Sequence, residues 1–117
     1  MLTKGIRGAI TVDENTAEAI REATKELLST LIESNNLNEE KISHVIFTLT
    51  EDLNAEFPAK FARMDFNWNS TAMMCFHELN VPKSLQKCLR VLIVLNCEEN
   101  FIPKFAYLKG AANLRII

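Results

Sequence analysis

Leu89-Arg90-Val91-Leu92-Ile93-Val94-Leu95 is an aliphatic run broken by a single arginine. Without Arg90 it reads as a buried β-strand, and the strand extends over 87–96. A guanidinium keeps its charge under essentially any condition a protein meets. Burying it without a partner is costly, so an anion should face it. That anion is either a carboxylate of the chain, with Glu78 as the candidate, or a ligand. What can be said about function turns on this choice.

Upstream, residues 72–77 (AMMCFH) read as a strand, followed by Glu78 and the turn Leu79-Asn80-Val81-Pro82. Strict alternation puts Cys75 and Glu78 on opposite faces, so they share a site only if the strand ends or bulges near His77. Before it, Phe57-Pro58-Ala59-Lys60-Phe61-Ala62-Arg63 reads as a short helix with Pro58 in its first turn. Lys60 and Arg63 then share a face, which is either a solvated surface or a site for an anion. Residues 43–50 read as another strand, with His44 at its entrance in a structural role.

Residues 2–10 read as a strand with Ile6, Gly8 and Ile10 on one face and Gly5, Arg7 and Ala9 on the other. The small neighbours of Arg7 would leave room for a ligand or another chain; the alternative is an exposed edge arginine. Residues 16–34 form an amphipathic helix. Asn15 and Glu18 make its capping box, and Ala17, Ile20, Ala23, Leu27, Leu28, Leu31 and Ile32 form its apolar stripe. Asn35-Asn36 ends it, and it is scaffold. Downstream, residues 104–109 form a short last strand carrying Tyr107. Strand, helix, strand is the opening of an α/β or α+β domain.

The chain has 117 residues, which makes 1–117 one domain, and 48% of them are hydrophobic, enough for one core. The net charge of −2 gives no signature of nucleic-acid binding. Met1 to Gly5 lack the apolar core of a signal peptide, and no apolar stretch approaches the roughly 18 residues of a membrane span. A soluble, cytoplasmic protein is expected, with no membrane partner. Three cysteines (Cys75, Cys88, Cys97) without CxxC spacing argue against a disulfide framework and a zinc site, and His44 and His77 form no ligand cluster with them.

Read in order, these pieces resemble the monofunctional AroH-class chorismate mutases. The matching segments are Gly5-Ile6-Arg7-Gly8-Ala9, Asp52-Leu53-Asn54-Ala55 before Phe57-Pro58-Ala59-Lys60, Cys75 with Glu78, Lys87-Cys88-Leu89-Arg90-Val91, Tyr107-Leu108 and Leu114-Arg115. Each is weak alone; the set in register spans nearly the whole chain. The resemblance implies an α+β fold with a mixed β-sheet and outer helices. Three copies would form a pseudo-α/β-barrel homotrimer with active sites between subunits. It implies conversion of chorismate to prephenate, the branch step toward phenylalanine and tyrosine, with no metal or organic cofactor.

That reaction, a 3,3-sigmatropic rearrangement, needs no nucleophile, proton transfer or redox centre. The enzyme must hold a flexible dianion in its reactive conformation and stabilise the charge that separates as the ether C–O bond breaks. Carried over from the family, Arg90 would donate to the ether oxygen and a carboxylate. Glu78 would bind the ring hydroxyl, Arg7 would clamp a carboxylate with Tyr107, and Cys75 would add a weak polar contact. Phe57, Ala59, Lys60, Arg63, Met73, Met74, Leu114 and Arg115 would line the cleft, with Phe57 through Arg63 coming from the adjacent subunit. A million-fold acceleration needs about 8 kcal/mol. One preorganised oxyanion donor supplies about 3–4 kcal/mol, and conformational restraint several more.

The chain departs from the family in three places. It stops two residues past Arg115, where family members carry a longer tail, so closure over substrate is either weaker or left to Leu114 and Arg115. The segment between Arg90 and Tyr107 is about one residue shorter. Met73 and Met74 are larger than expected beside a ligand.

Three alternatives remain open from the residues. One is an imine-hydrolysing, reactive-intermediate deaminase on a similar trimer. Another is a silent trimer that binds a small carboxylate. The third is nucleophilic catalysis by Cys75 with His77, for which no oxyanion or acid partner is evident.

Overall fold

In the computed structural model, described over residues 1–114, five strands form one mixed sheet with helices on one face. The strands are β1 (Leu2–Thr11), β2 (Ile42–Leu49), β3 (Ala72–His77), β4 (Cys88–Cys97) and β5 (Ala106–Leu108). The helices are α1 (Ala17–Asn35) and α2 (Pro58–Phe66). Strand order is β3-β2-β4-β1-β5. The run containing Arg90 is therefore the central strand. β4 pairs antiparallel with β1 and β2, while the outer pairs β1–β5 and β2–β3 are parallel. The expected α+β class holds.

Alternation sorts the sheet into two faces. Ile6, Ile10, Val45, Phe47, Leu89 and Ile93 are buried on the face covered by the helices. Gly8 belongs to this face, where a Cβ would come within 2.8 Å of Leu31 Cδ1 and 3.0 Å of Leu27 Cδ1. Its missing side chain is what lets α1 pack so closely. From α1, Ile20, Ala23, Leu27, Leu28 and Leu31 are buried. Arg21 ties α1 to α2: its Nη2 and Nε donate to the two Asp65 carboxylate oxygens at 2.6 and 3.0 Å, and its guanidinium lies 5.6 Å from the Phe61 ring centre. Arg21 holds the Asp65 carboxyl below the usual range.

Among the described residues, the other face carries no α-helix, and a single short turn at Ala111 covers Ala9 and Cys88. There Ile46, Arg90, Leu92 and Val94 are half-buried, and Met74 and Phe76 are exposed. The expectation of a strand buried on both sides thus holds for one side of β4 within a single chain.

Several expected details are corrected. Thr16, not Asn15, caps α1: its side chain accepts the Ala19 amide at 3.1 Å. Asn15 instead accepts the amides of Asn54 and Ala55, fastening the loop before α2. Beside Arg7, Leu92 lies over Gly5 and Ala9 is buried with Cys88 and Ala111, while Arg7 itself is exposed. The last strand is three residues rather than six. The Lys104 amide and carbonyl are both engaged by the buried Asn35 side chain, and Lys109 turns to a left-handed φ of 52°.

Candidate active site

The β-ladder builds one row across the open face. Tyr107 lies opposite Ala9, Ala9 opposite Arg90, Arg90 opposite Thr48, and Thr48 opposite Phe76. Neighbouring strands are about 5 Å apart, so Tyr107 and Arg90 start about 10 Å from each other with alanine between them. Arg7 is two residues before Ala9 on the same face and is exposed.

Glu78 joins the row from the end of β3. Its amide donates to the Leu49 carbonyl at 2.8 Å, which carries the parallel pairing one residue beyond the strand. Alternation persists through this residue, so its carboxylate reaches the open face. There Glu78 Oε2 accepts the Thr48 hydroxyl at 2.6 Å and lies 3.6 Å from Arg90 Nε. The second distance is an ion pair but exceeds a hydrogen bond.

Among the described residues, two buried side-chain polar atoms have no hydrogen-bond partner: Arg90 Nε and Tyr107 Oη. Buried polar groups are nearly always satisfied, because an unmet donor forfeits its hydration. Two such atoms in one row mark a place built to receive acceptors. A cleft of about 260 Å³ adjoins Glu78, lined by Thr50, Asp52 and the 79–86 loop. Asp52 shapes its floor. Its carboxylate accepts the Lys87 amide at 3.0 Å, holding Lys87 at a left-handed φ of 46° just before β4 begins.

A second group of expected residues lies on the other side of β3. Cys75 packs toward the helices, with the Ala59 amide and the Arg63 charge beside it, and its burial pushes the thiol pKa up. A cleft of about 370 Å³ here is lined by Phe57, Cys75, His77 and residues of the 53–56 loop. Phe57 is 64% exposed at the start of α2. Lys60 is held by Glu56 at 2.8 Å. Raised thiol pKa and a His77 Nε2 engaged with the Leu53 carbonyl at 3.2 Å leave nucleophilic Cys75 without an activating base.

Residues 3–116 match the family model of chorismate mutase type I. The chain belongs to this family. It is 41% identical over 116 residues to the chorismate mutase AroH of Thermus thermophilus, covering 97% of this chain and 94% of that one. It is 38% identical over 98 residues to the chorismate mutase AroH of Bacillus subtilis, covering 84% and 77% of the two chains. Among solved structures, it is similar to a chorismate mutase from Clostridium thermocellum, with a TM-score of 0.87 and 47% identity, covering 92% and 96%.

The residues expected from the chorismate mutase resemblance fall into two sets. Arg7, Glu78, Arg90 and Tyr107 come together on the open face. Leu114 packs beside Tyr107 in the small cluster around Ala9 and Cys88. Phe57, Ala59, Lys60, Arg63 and Cys75 gather across β3. Met73 follows Cys75 against the core, whereas Met74 is 60% exposed on the open face, so the two methionines do not act as a pair. Within one chain Cys75 does not meet Glu78, because β3 neither ends early nor bulges. Arg115 lies outside the described residues. Thr48 was not singled out in the sequence. It is a polar residue in an apolar run, and only the β2–β4 register reveals that it faces Arg90.

Proposed function

We propose that this chain is a chorismate mutase, an isomerase that converts chorismate to prephenate in aromatic amino-acid biosynthesis. The observation that carries this is the Arg90 guanidinium, inside an apolar sheet, ion-paired with Glu78 and still short of a hydrogen bond at Nε. The buried Nε is thus left to take an acceptor from a ligand.

In the reaction, Arg90 donates to the ether oxygen as negative charge grows there and to a substrate carboxylate. Glu78 accepts from the ring hydroxyl and balances the positive ring fragment. Arg7 and Tyr107 hold a carboxylate, which gives the Tyr107 hydroxyl the acceptor it lacks. The chemistry needs only a bound conformer and a fixed donor at the developing oxyanion.

The second half of the site, Phe57 to Arg63 with Met73 and Cys75, comes from a neighbouring copy. The assembly is a cytoplasmic homotrimer in which the open faces cluster about the threefold axis. Supporting this, Ile46, Leu92, Val94, Met74 and Phe76 leave that face apolar, and the two groups of expected residues lie on opposite sides of an edge strand. A head-to-tail interface closing after three copies would bring them together.

The direct test is loss of chorismate absorbance with purified protein, with prephenate confirmed by acid conversion to phenylpyruvate. Turnover is expected. Chorismate bound by intact protein without turnover would replace this reading with a silent binding protein.

A further inference from the structure

Thr48 has a place in the site that the reaction as described does not use. Its hydroxyl donates to Glu78 Oε2 at 2.6 Å, a short contact of the kind hydroxyls make to ionised carboxylates. The same oxygen stands 3.6 Å from Arg90 Nε, a buried donor with no hydrogen bond. Thr48 and Arg90 are direct cross-strand neighbours, so the hydroxyl is rooted beside the guanidinium. A guanidinium–carboxylate bond is charge-assisted on both sides, a hydroxyl–carboxylate bond on one. A carboxylate free to move would close the remaining gap and satisfy Nε. Among the described residues, the hydrogen bond that oxygen accepts comes from Thr48.

Resting on the chorismate mutase reading, we propose that Thr48 is a positioning residue. It tethers one oxygen of Glu78 so that the carboxylate stays near Arg90 without locking onto it. Arg90 then keeps its donors for the substrate, and Glu78 keeps Oε1 for the ring hydroxyl. Without the tether, Glu78 and Arg90 form a closed pair in the free enzyme. Chorismate must break that pair to bind, while the bound complex is unchanged. The cost therefore falls on KM, with kcat largely kept.

The experiment compares Thr48→Val, which swaps hydroxyl for methyl at nearly constant volume, with Thr48→Ser, which keeps the hydroxyl. KM for chorismate should rise about tenfold or more in Thr48→Val, the scale of one charge-assisted bond, and return most of the way in Thr48→Ser. A valine variant with KM within twofold of the parent overturns the proposal. So does a fall in kcat at unchanged KM, which would place the Thr48 bond in the transition state rather than in the free enzyme. Thr48→Ala is read in the same way if Thr48→Val does not fold. Should the parent bind chorismate without turning it over, the activity reading fails by itself, and the same comparison is made in Kd by calorimetry.

Discussion

On the helix side of the sheet, Ile6, Phe47, Leu89 and Ile93 are sealed at 0% exposure, and the buried polar groups there, Thr24 and Asn35, all find backbone partners. On the open side, Arg90 and Tyr107 hold buried polar atoms with no partner among the described residues, beside exposed apolar residues. The same strands make both faces. Away from the Phe57–Cys75 cleft, the helix side is a closed interior. In the assembly proposed above, the open side is completed by a ligand and a second copy. The difference assigns stability to the closed interior and chemistry to the open face with the Phe57–Cys75 cleft of a neighbour, and substitutions should separate the two.

The sharpest break is Arg90→Lys, which keeps the charge and loses the planar fork. The folded variant should lose about 10²–10³-fold in kcat, the scale of one oxyanion donor, while its thermal midpoint stays close to the parent's. A folded variant as active as the parent would remove Arg90 from the chemistry. On the helix side, Leu28→Ala should do the reverse. It empties a fully buried position and should cost about 2–5 kcal/mol of unfolding free energy in a denaturant titration, with turnover per folded molecule retained.

The smallest expected effect is electrostatic. Asp65 has its carboxyl depressed by Arg21, so the pair's contribution is fully present above the ordinary aspartate range and is lost as pH falls through the lowered value. Asp65→Asn should therefore narrow the stability gap between neutral and acid pH in thermal scans. Arg21 is exposed, and salt should weaken the effect.

Much of this division was legible in the sequence. The alternation of Ile6, Gly8 and Ile10 against Arg7 and Ala9 follows from the two-residue strand period, and the 72–77 strand is found at those limits. Pro58 begins α2 as its fixed φ dictates, and Asn36 ends α1 in the left-handed region. What the sequence hid depends on distant partners. Asn15 and Thr16 are both good caps, and the choice is made by the Asn54 and Ala55 amides that claim Asn15. The strand at 87–96 begins one residue late because Asp52 claims the Lys87 amide, leaving only its carbonyl to the Val12 amide. Alternation foretold that Cys75 and Glu78 would lie on opposite faces. That Thr48 tethers Glu78 required the pairing register, which no local pattern encodes.

The central claim is that each active site joins the open face of one copy to the Phe57–Cys75 side of the next. Mixing two defective chains tests it most directly. One carries Arg90→Lys; the other carries Lys60→Glu with Arg63→Glu, both at exposed positions. In co-expressed mixed trimers, random assembly should restore about a quarter of parental chorismate turnover, because each mixed trimer regains one intact interface. Mixed trimers no more active than the average of the two defective parents would contradict it.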